Sequence, residues 1–227
     1  MVRECFLPEE KNYIAVVLGG DFPYKPDVCS VVKSALYCIC ADKGAEIAEI
    51  CGRLPDFLVG DMDSVNTETL KWCSENRVPE KRFIPEKDYT DGEIAVDFAI
   101  NYAKKNGIGL ICVVGGCGNR FDHTLANIYI GKKILDNGLR VVYCNDNSFI
   151  YLLKGNCSQK VELINGKTVS LLPMGGNAEG VTLRGFKYPL HESRLNVDVS
   201  LGISNELISD IGTVFLRNGY LMVIQNR

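Results

Sequence analysis

The chain has 227 residues, of which 46% are hydrophobic, and its 25 basic and 28 acidic side chains give a net charge of -3. This length and composition allow a globular core in one large domain or two modest ones. Residues 1 to 146 carry 22 acidic and 17 basic side chains, which disfavours nucleic acid as a partner because phosphate neutralisation needs a basic face. The apolar runs are too short to cross a bilayer and the N-terminal MVRECFLPEEKNY is acidic where a signal peptide is apolar, so we expect no membrane association and a cytoplasmic location.

The first part of the chain alternates short apolar strands with helical patterns. The predicted strands are Ile14 to Leu18, Leu36 to Cys40, Phe57 to Val59, Arg82 to Ile84, Leu110 to Val114 and Arg140 to Cys144. Strands that alternate with helices indicate a parallel sheet covered on both faces. We therefore predict an N-terminal, doubly wound, mainly parallel α/β domain over residues 1 to 146.

The remaining chain has the pattern of an all-β domain. Its predicted strands are Ser148 to Leu153, Thr168 to Leu172, Val181 to Leu183 and Thr213 to Ile224. They are separated by turn sequences such as Gly175-Gly176 and Asn218-Gly219. We predict a C-terminal β-sandwich domain over residues 147 to 227.

The ten cysteines lie in predicted strands and helices without regular spacing. No C-x-x-C pair occurs and there are two histidines, which leaves few ligands for a structural zinc ion. We expect reduced, buried thiols.

Aspartates follow the strands of the predicted α/β domain. They are Asp21, Asp42, Asp61, Asp63, Asp88, Asp91 and Asp122. Because ligands of open α/β sheets bind at the carboxyl ends of the strands, these side chains are predicted to converge on one crevice. So many carboxylates repel one another without a cation, and hard oxygen ligands suit Mg²⁺ together with a phosphate chain. The pattern predicts a site for Mg²⁺ and a nucleotide polyphosphate.

Helix capping is the alternative explanation for some of these residues. Asp63, Ser64 or Asn66 could cap a helix over Thr67 to Asn76. Thr90 and Glu93 fit a capping box. Asp122 could likewise cap the next helix, and His123 alone is typical of a structural histidine.

Glycines provide a second signal after the predicted strand Leu110 to Val114. Gly115-Gly116-Cys117-Gly118 allows the backbone to approach a ligand closely, and the following helix would direct its N-terminal N–H groups at an anion. Arg120 could reach a phosphate. Neither a Walker sequence nor a G-x-G-x-x-G fingerprint is present.

Several spaced motifs together resemble the thiamine pyrophosphokinase family. They are ADKGA from Ala41, GDMDS from Gly60, KDYTD from Lys87, GGCGNRFDHTLAN from Gly115, GFKYPL from Gly185 and GISNE from Gly202. The resemblance covers nearly the whole chain. The sequence departs from the family pattern at Lys43 and Asn119, where glycine is expected, and at Met62, where an aromatic residue is usual.

The resemblance implies transfer of the terminal pyrophosphoryl group of ATP to the hydroxyl of thiamine, with release of AMP. It assigns Mg²⁺ and catalysis to Asp61, Asp63 and Asp91. It assigns the ATP pocket to Asp42, Asp88, Thr90, Gly116, Arg120, Asp122, His123 and Asn127. Thiamine would bind in the second domain through Tyr188, Ser204 and Asn205, with the Tyr188 ring stacked on the flat cation.

The resemblance also implies a homodimer in which the β domain of one subunit completes the site of the other.

Two other functions remain open from the residues alone. One is a metal-dependent nucleotide-sugar transferase that uses the D-x-D turn, and the other is a thiamine or nucleotide sensor without catalytic activity. Production of AMP rather than ADP from ATP would distinguish the three.

Overall fold

A computed structural model of the chain describes residues 12–20, 26–83 and 88–227. Two compact units divide between Asp146 and Asn147. None of the helices in the described ranges is long and apolar enough to span a membrane.

The first unit is a parallel sheet covered by helices. Its strands are β1 (Ile14–Val17), β2 (Tyr37–Ala41), β3 (Phe57–Gly60), β4 (Glu80–Arg82), β5 (Leu110–Val114) and β6 (Arg140–Cys144). Its helices are α1 (Pro26–Ser34), α2 (Gly44–Ile50), α3 (Thr67–Glu75), α4 (Asp91–Asn106) and α5 (Phe121–Asp136). The strand order is β6-β5-β1-β2-β3-β4, and every neighbouring pair is parallel. This confirms the predicted α/β class.

The chain reverses its direction across this sheet between β4 and β5. Because parallel crossovers are right-handed, α1, α2 and α3 cover one face, and α4 and α5 cover the other. The central strands β1 and β5 are buried along their whole length, as expected of a sheet covered on both faces. The edge strand β4 is exposed and consists of Glu80, Lys81 and Arg82. It begins two residues before its predicted start, and the predicted end at Ile84 lies outside the described residues.

Cysteine pairing corrects the expectation that all thiols are reduced. Cys29 of α1 and Cys51, which follows α2, form a disulfide with their Cα atoms 4.9 Å apart. The two residues are 22 positions apart, and they meet because the crossover rule places α1 and α2 on the same face of the sheet. The other described cysteines are free, and five of these seven are buried.

The second unit contains two antiparallel sheets and confirms the predicted β-sandwich. Its strands are β7 (Ser148–Lys154), β8 (Cys157–Glu162), β9 (Thr168–Pro173), β10 (Ala178–Arg184), β11 (Ser193–Leu195), β12 (Asn205–Glu206), β13 (Ile211–Leu216) and β14 (Tyr220–Asn226). One sheet has the order β12-β9-β14-β7 and the other β11-β10-β13-β8. Buried and half-buried residues alternate along β13 and β14, so that one face of each sheet forms the core.

Candidate active site

A cavity of about 630 Å³ lies in the first unit at the carboxyl ends of the parallel strands. Residues after β1, β2, β3 and β5 line it, together with the first turns of α4 and α5. It includes the place where the strand order reverses between β1 and β5, which is the expected ligand-binding position in an open α/β sheet. There the Gly20 N–H donates to the Gly115 carbonyl at 2.9 Å, which joins the two strand-end loops.

Three of the predicted carboxylates line this cavity. They are Asp42, Asp61 and Asp91, and all three are half-buried. Asp63 is exposed beside Asp61, whose Oδ1 accepts a hydrogen bond from the Asp63 backbone N–H at 3.1 Å. Asp88 is exposed and does not line the cavity. Asp21 lies outside the described residues.

Asp42 is held in place by the backbone of the D-x-D turn. Its own φ is +42°, an unusual conformation for an aspartate, and its Oδ1 accepts from the Met62 N–H at 3.1 Å. Gly60 makes room for it, because a Cβ atom at that position would overlap the Asp42 carboxylate. The glycine before the two aspartates is therefore required by packing as well as by its φ of +143°.

Burial and neighbouring carboxylates raise the pKa of two members of this cluster. Burial raises the pKa of Asp42 to about 7, and the negative charges of Asp91 and Asp61 contribute to the rise. The pKa of Asp63 is also raised, through its hydrogen bond to Asp61 and the charge of that residue. A cation near Asp42 and Asp63 would therefore stabilise their ionised carboxylates.

The carboxylates at the cavity suit a Mg²⁺ ion whose other ligands are water and substrate phosphate. No three His, Cys, Asp or Glu side chains of the described ranges lie close enough together to hold a metal ion by themselves. Mg²⁺ is usually held by only one or two carboxylates, with water and substrate phosphate as its other ligands. The carboxylates that line the cavity, Asp42, Asp61 and Asp91, can supply one or two such ligands.

Helix capping does not account for the D-x-D aspartates. The N-cap of α3 is Asn66, whose Oδ1 accepts from the Thr69 N–H at 2.8 Å. Thr90 caps α4 as the capping box predicted, since its Oγ1 accepts from the Glu93 N–H at 3.2 Å. Asp61 and Asp63 therefore cap neither α3 nor α4.

The first turns of α4 and α5 present polar groups to the cavity. Thr90 and Gly92 line it from α4, and His123 and Thr124 line it from α5. Both helices have 16 residues, so that their positive N-terminal ends favour an anionic ligand. Asn127 lies one turn further along α5 and donates from Nδ2 to the Gly116 carbonyl at 2.9 Å, which fixes the glycine loop.

Arg120 and Asp122 form an ion pair at the start of α5. Their Nη2 and Oδ2 atoms are 2.6 Å apart and both residues are exposed. Asp122 therefore does not cap α5, whose N-cap position is occupied by Arg120 without a side-chain capping bond. Arg120 lines the cavity and Asp122 does not. The guanidinium lowers the pKa of Asp122.

The cavity contains several residues that sequence reasoning did not assign to it. They are Leu18, Gly19, Gly20, Ala41, Lys43, Ser64, Tyr89, Gly92, Asn119 and Thr124. Lys43 is the notable one, because it has no ion-pair partner among the described residues and can offer its ammonium group to an anion. Its position directly after Asp42, at the carboxyl end of β2, is the signal that could have identified it.

The predicted thiamine residues lie in the second unit. The Tyr188 side chain is 58% exposed. Ser204 is exposed with a φ of +56°, and its backbone N–H donates to Ser170 Oγ at 3.0 Å. Asn205 is buried, and its amide is hydrogen-bonded to the backbone of Tyr188.

Two family profiles match the chain, one in each unit. The profile described as thiamin pyrophosphokinase, catalytic domain, matches residues 28–143. The profile described as thiamin pyrophosphokinase, vitamin B1 binding domain, matches residues 156–221.

Named relatives agree with these profiles. A thiamine pyrophosphokinase of Bacillus subtilis is 29% identical over 214 residues, which cover 94% of this chain and 98% of the relative. Thiamine pyrophosphokinase 1 of Oryza sativa subsp. japonica is 27% identical and covers 72% of this chain and 67% of its own.

Solved structures show the same fold. The crystal structure of thiamine pyrophosphokinase from Bacillus subtilis superimposes with a TM-score of 0.81 at 26% identity, covering 94% of this chain and 98% of the other. Yeast thiamin pyrophosphokinase superimposes with a TM-score of 0.76 at 18% identity, covering 97% and 88%, and supports the fold alone.

Proposed function

Because the chain belongs to the thiamine pyrophosphokinase family and is a thiamine diphosphokinase, we propose that it makes thiamine diphosphate by moving the pyrophosphoryl group of ATP to thiamine, with AMP as the second product. The observation that carries the proposal is the cavity at the carboxyl ends of the sheet. It combines three half-buried aspartates with the positive ends of two long helices. The helix ends would attract an anionic substrate, and the aspartates would attract a cation bound to that substrate.

In this proposal the thiamine hydroxyl oxygen attacks the β-phosphorus of ATP. The bond from that phosphorus to the α-phosphate oxygen breaks, AMP leaves, and a cavity carboxylate accepts the hydroxyl proton. Asp61 and Asp91 would hold Mg²⁺ together with water and the phosphates, with Asp42 and Asp63 beside them in support. When bound, Mg²⁺ supplies positive charge that stabilises the negative charge developing on the phosphates.

The phosphate chain would lie along the loop that carries Gly116. Thr90, His123 and Asn127 would shape the nucleotide pocket around it. Arg120, held by Asp122, and Lys43 would balance the phosphate charge at the rim of the cavity. The exposed Tyr188 ring, with Ser204 and Asn205, would form the thiamine-binding segment.

We propose further that the protein acts as a homodimer with composite sites. The second unit exposes a group of apolar side chains close in sequence to Ser204, and α5 exposes an apolar stripe. The first group is Val197, Val199, Leu201, Ile203 and Ile208, and the stripe is Phe121, Leu125 and Tyr129. Exposed apolar groups of this kind are typical of surfaces that a partner covers, and a second copy of this chain is the partner proposed.

Product analysis tests the proposed reaction. Protein incubated with ATP, thiamine and Mg²⁺ is expected to form AMP and thiamine diphosphate in equal amounts. Formation of ADP, or binding of both substrates without turnover, would contradict the proposal. Release of a nucleoside diphosphate from a nucleotide-sugar would instead identify a D-x-D transferase.

A further inference from the structure

Two segments of the second unit run antiparallel beside each other and lead to Tyr188. The Ile208 N–H donates to the Gly185 carbonyl at 3.0 Å, and the Lys187 N–H donates to the Glu206 carbonyl at 2.9 Å. Phe186 and Leu207 form a β-bridge between these bonds. The next backbone position opposite Tyr188 is Asn205, whose own backbone pairs with Val169 of β9.

The side chain of Asn205 continues this ladder in place of a backbone group. Its Oδ1 accepts from the Tyr188 N–H at 3.1 Å, and its Nδ2 donates to the Tyr188 carbonyl at 2.8 Å. A side-chain amide carries the same donor and acceptor as a peptide group, so it can satisfy both polar groups of one residue. Asn205 is only 7% exposed, which shields these bonds from water.

Little hydrogen-bonding capacity of Asn205 remains for a ligand. Oδ1 also accepts from the Glu206 N–H at 2.8 Å, so both of its acceptor positions are used. Tyr188 itself, in contrast, is 58% exposed, with the Lys187 ammonium nitrogen 5.4 Å from the centroid of its ring. The arrangement fixes the Tyr188 backbone and leaves the ring accessible.

We infer that Asn205 is a positioning residue that acts on thiamine through Tyr188, an inference that rests on the proposed function. By holding the backbone of Tyr188 at both polar groups, it fixes the point and direction from which the ring leaves the backbone and reduces the ordering required when a flat cation binds. Aspartate lacks the donor, and glutamine places the amide one methylene further away. Asparagine is therefore the residue that fits this position.

A double-mutant cycle on the Michaelis constants tests the inference. Asn205→Ala and Tyr188→Ala are each expected to raise the KM for thiamine about tenfold or more and to change the KM for ATP less than about twofold. In the Tyr188→Ala background, Asn205→Ala is expected to add less than about a twofold change. If the double variant instead raises the KM for thiamine by the product of the two single fold-changes, Asn205 contacts thiamine itself and the inference is overturned.

Hydrogen exchange of the Tyr188 amide provides a readout that does not depend on activity. Asn205→Ala is expected to speed that exchange about tenfold or more, whereas Asn205→Asp, which keeps the acceptor oxygen, retains most of the protection. Equal exchange in wild type and Asn205→Ala would overturn the inference. A wild type that forms no AMP would overturn the proposed function without changing this exchange result.

Gln225→Ala is the matched control for general loosening of the same unit. Gln225 is fully buried, and its Nε2 donates to the carbonyls of Glu162 at 2.6 Å and Gly166 at 2.8 Å. Its loss is expected to lower stability while the KM for thiamine and the Tyr188 exchange rate stay at wild-type values. A rise in the KM for thiamine equal to that of Asn205→Ala would overturn the specific role.

Discussion

Asp61 and Asp63 are the residues whose substitution bears most directly on the proposed metal site. Asp61→Asn and Asp63→Asn are each expected to lower turnover about 100-fold or more, because the carboxylates proposed to hold Mg²⁺ or to support it lose their charge. The fold remains intact, since less repulsion remains among the carboxylates. Steady-state AMP formation at saturating Mg²⁺ measures the effect.

Asp136→Asn is the control for these two substitutions. Asp136 pairs with Lys132 at 2.5 Å in the last turn of α5, and it does not line the cavity. It is expected to keep wild-type turnover. Activity within a fewfold of wild type for both Asp61→Asn and Asp63→Asn would exclude the metal-site proposal.

Asp42 makes the stability of the metal-free protein depend on pH. Its pKa is raised to about 7, whereas an unfolded aspartate titrates near about 3.9. The folded state then binds more protons than the unfolded state between these values, so the free energy of unfolding falls as pH rises from about 4 to about 7. Urea unfolding in EDTA at pH 5 and pH 8 should show the fall.

The comparison variant for that measurement is Asp42→Asn, which cannot titrate at this position. It is expected to lose less stability than wild type between pH 5 and pH 8. Asp198→Asn, at an exposed position of the second unit, should behave as wild type does. If the free energy of unfolding falls by the same amount between pH 5 and pH 8 in Asp42→Asn and in wild type, the Asp42 carboxyl is not held protonated by its surroundings.

Individual residues also show what the sequence can predict about a site. Placement after strands was enough to predict that Asp42, Asp61 and Asp91 approach one another, because parallel strands end at one edge. The direction of a side chain was not predictable. The ion pair of Arg120 with Asp122 and the inward amide of Asn205 depend on distances that only the folded chain determines.

At the scale of elements, α3 allows the capping alternative to be tested directly. Asn66→Ala is expected to cost about 1 kcal/mol of unfolding free energy, because the Thr69 N–H loses its acceptor. Ser64→Ala should cost much less. Urea unfolding of the two variants is the measurement, and a neutral Asn66→Ala with a destabilised Asp63→Ala would return the D-x-D turn to a capping role.

The predicted elements agree with the structure where the apolar signal is strong. β5 and β6 have the predicted bounds, since each is a run of buried residues apart from Arg140. β4 and β8 have polar sequences, EKR and CSQKVE, and β8 was not predicted at all. Edge strands and strands with one exposed face carry less apolar periodicity, and neighbouring strands determine their position.

For the whole molecule, the proposed homodimer predicts complementation between two inactive proteins. One parent carries Asp63→Asn and the other carries Ser204→Ala with Asn205→Ala. If each site uses the α/β unit of one subunit and the β unit of the other, a heterodimer has both defects in one site and an intact second site. Random exchange should restore about a quarter of wild-type activity.

The composition of the mixture must be measured as well as its activity. Native mass spectrometry should show heterodimers in about half of the dimers after exchange. A mixture that contains heterodimers and stays as inactive as its parents would place the whole site within one subunit. A protein that is monomeric at assay concentration would contradict the dimer itself.

Gly60 and Asp42 share one small volume, and this couples a substitution at position 60 to the place of the carboxylate at position 42. A side chain at position 60 would overlap the Asp42 carboxylate and would also be strained by the φ of +143°. The carboxylate would have to leave the Met62 N–H to make room for it. A Gly60→Ala protein should therefore keep an aspartate at position 42 whose carboxyl group no longer has its present place in the cavity.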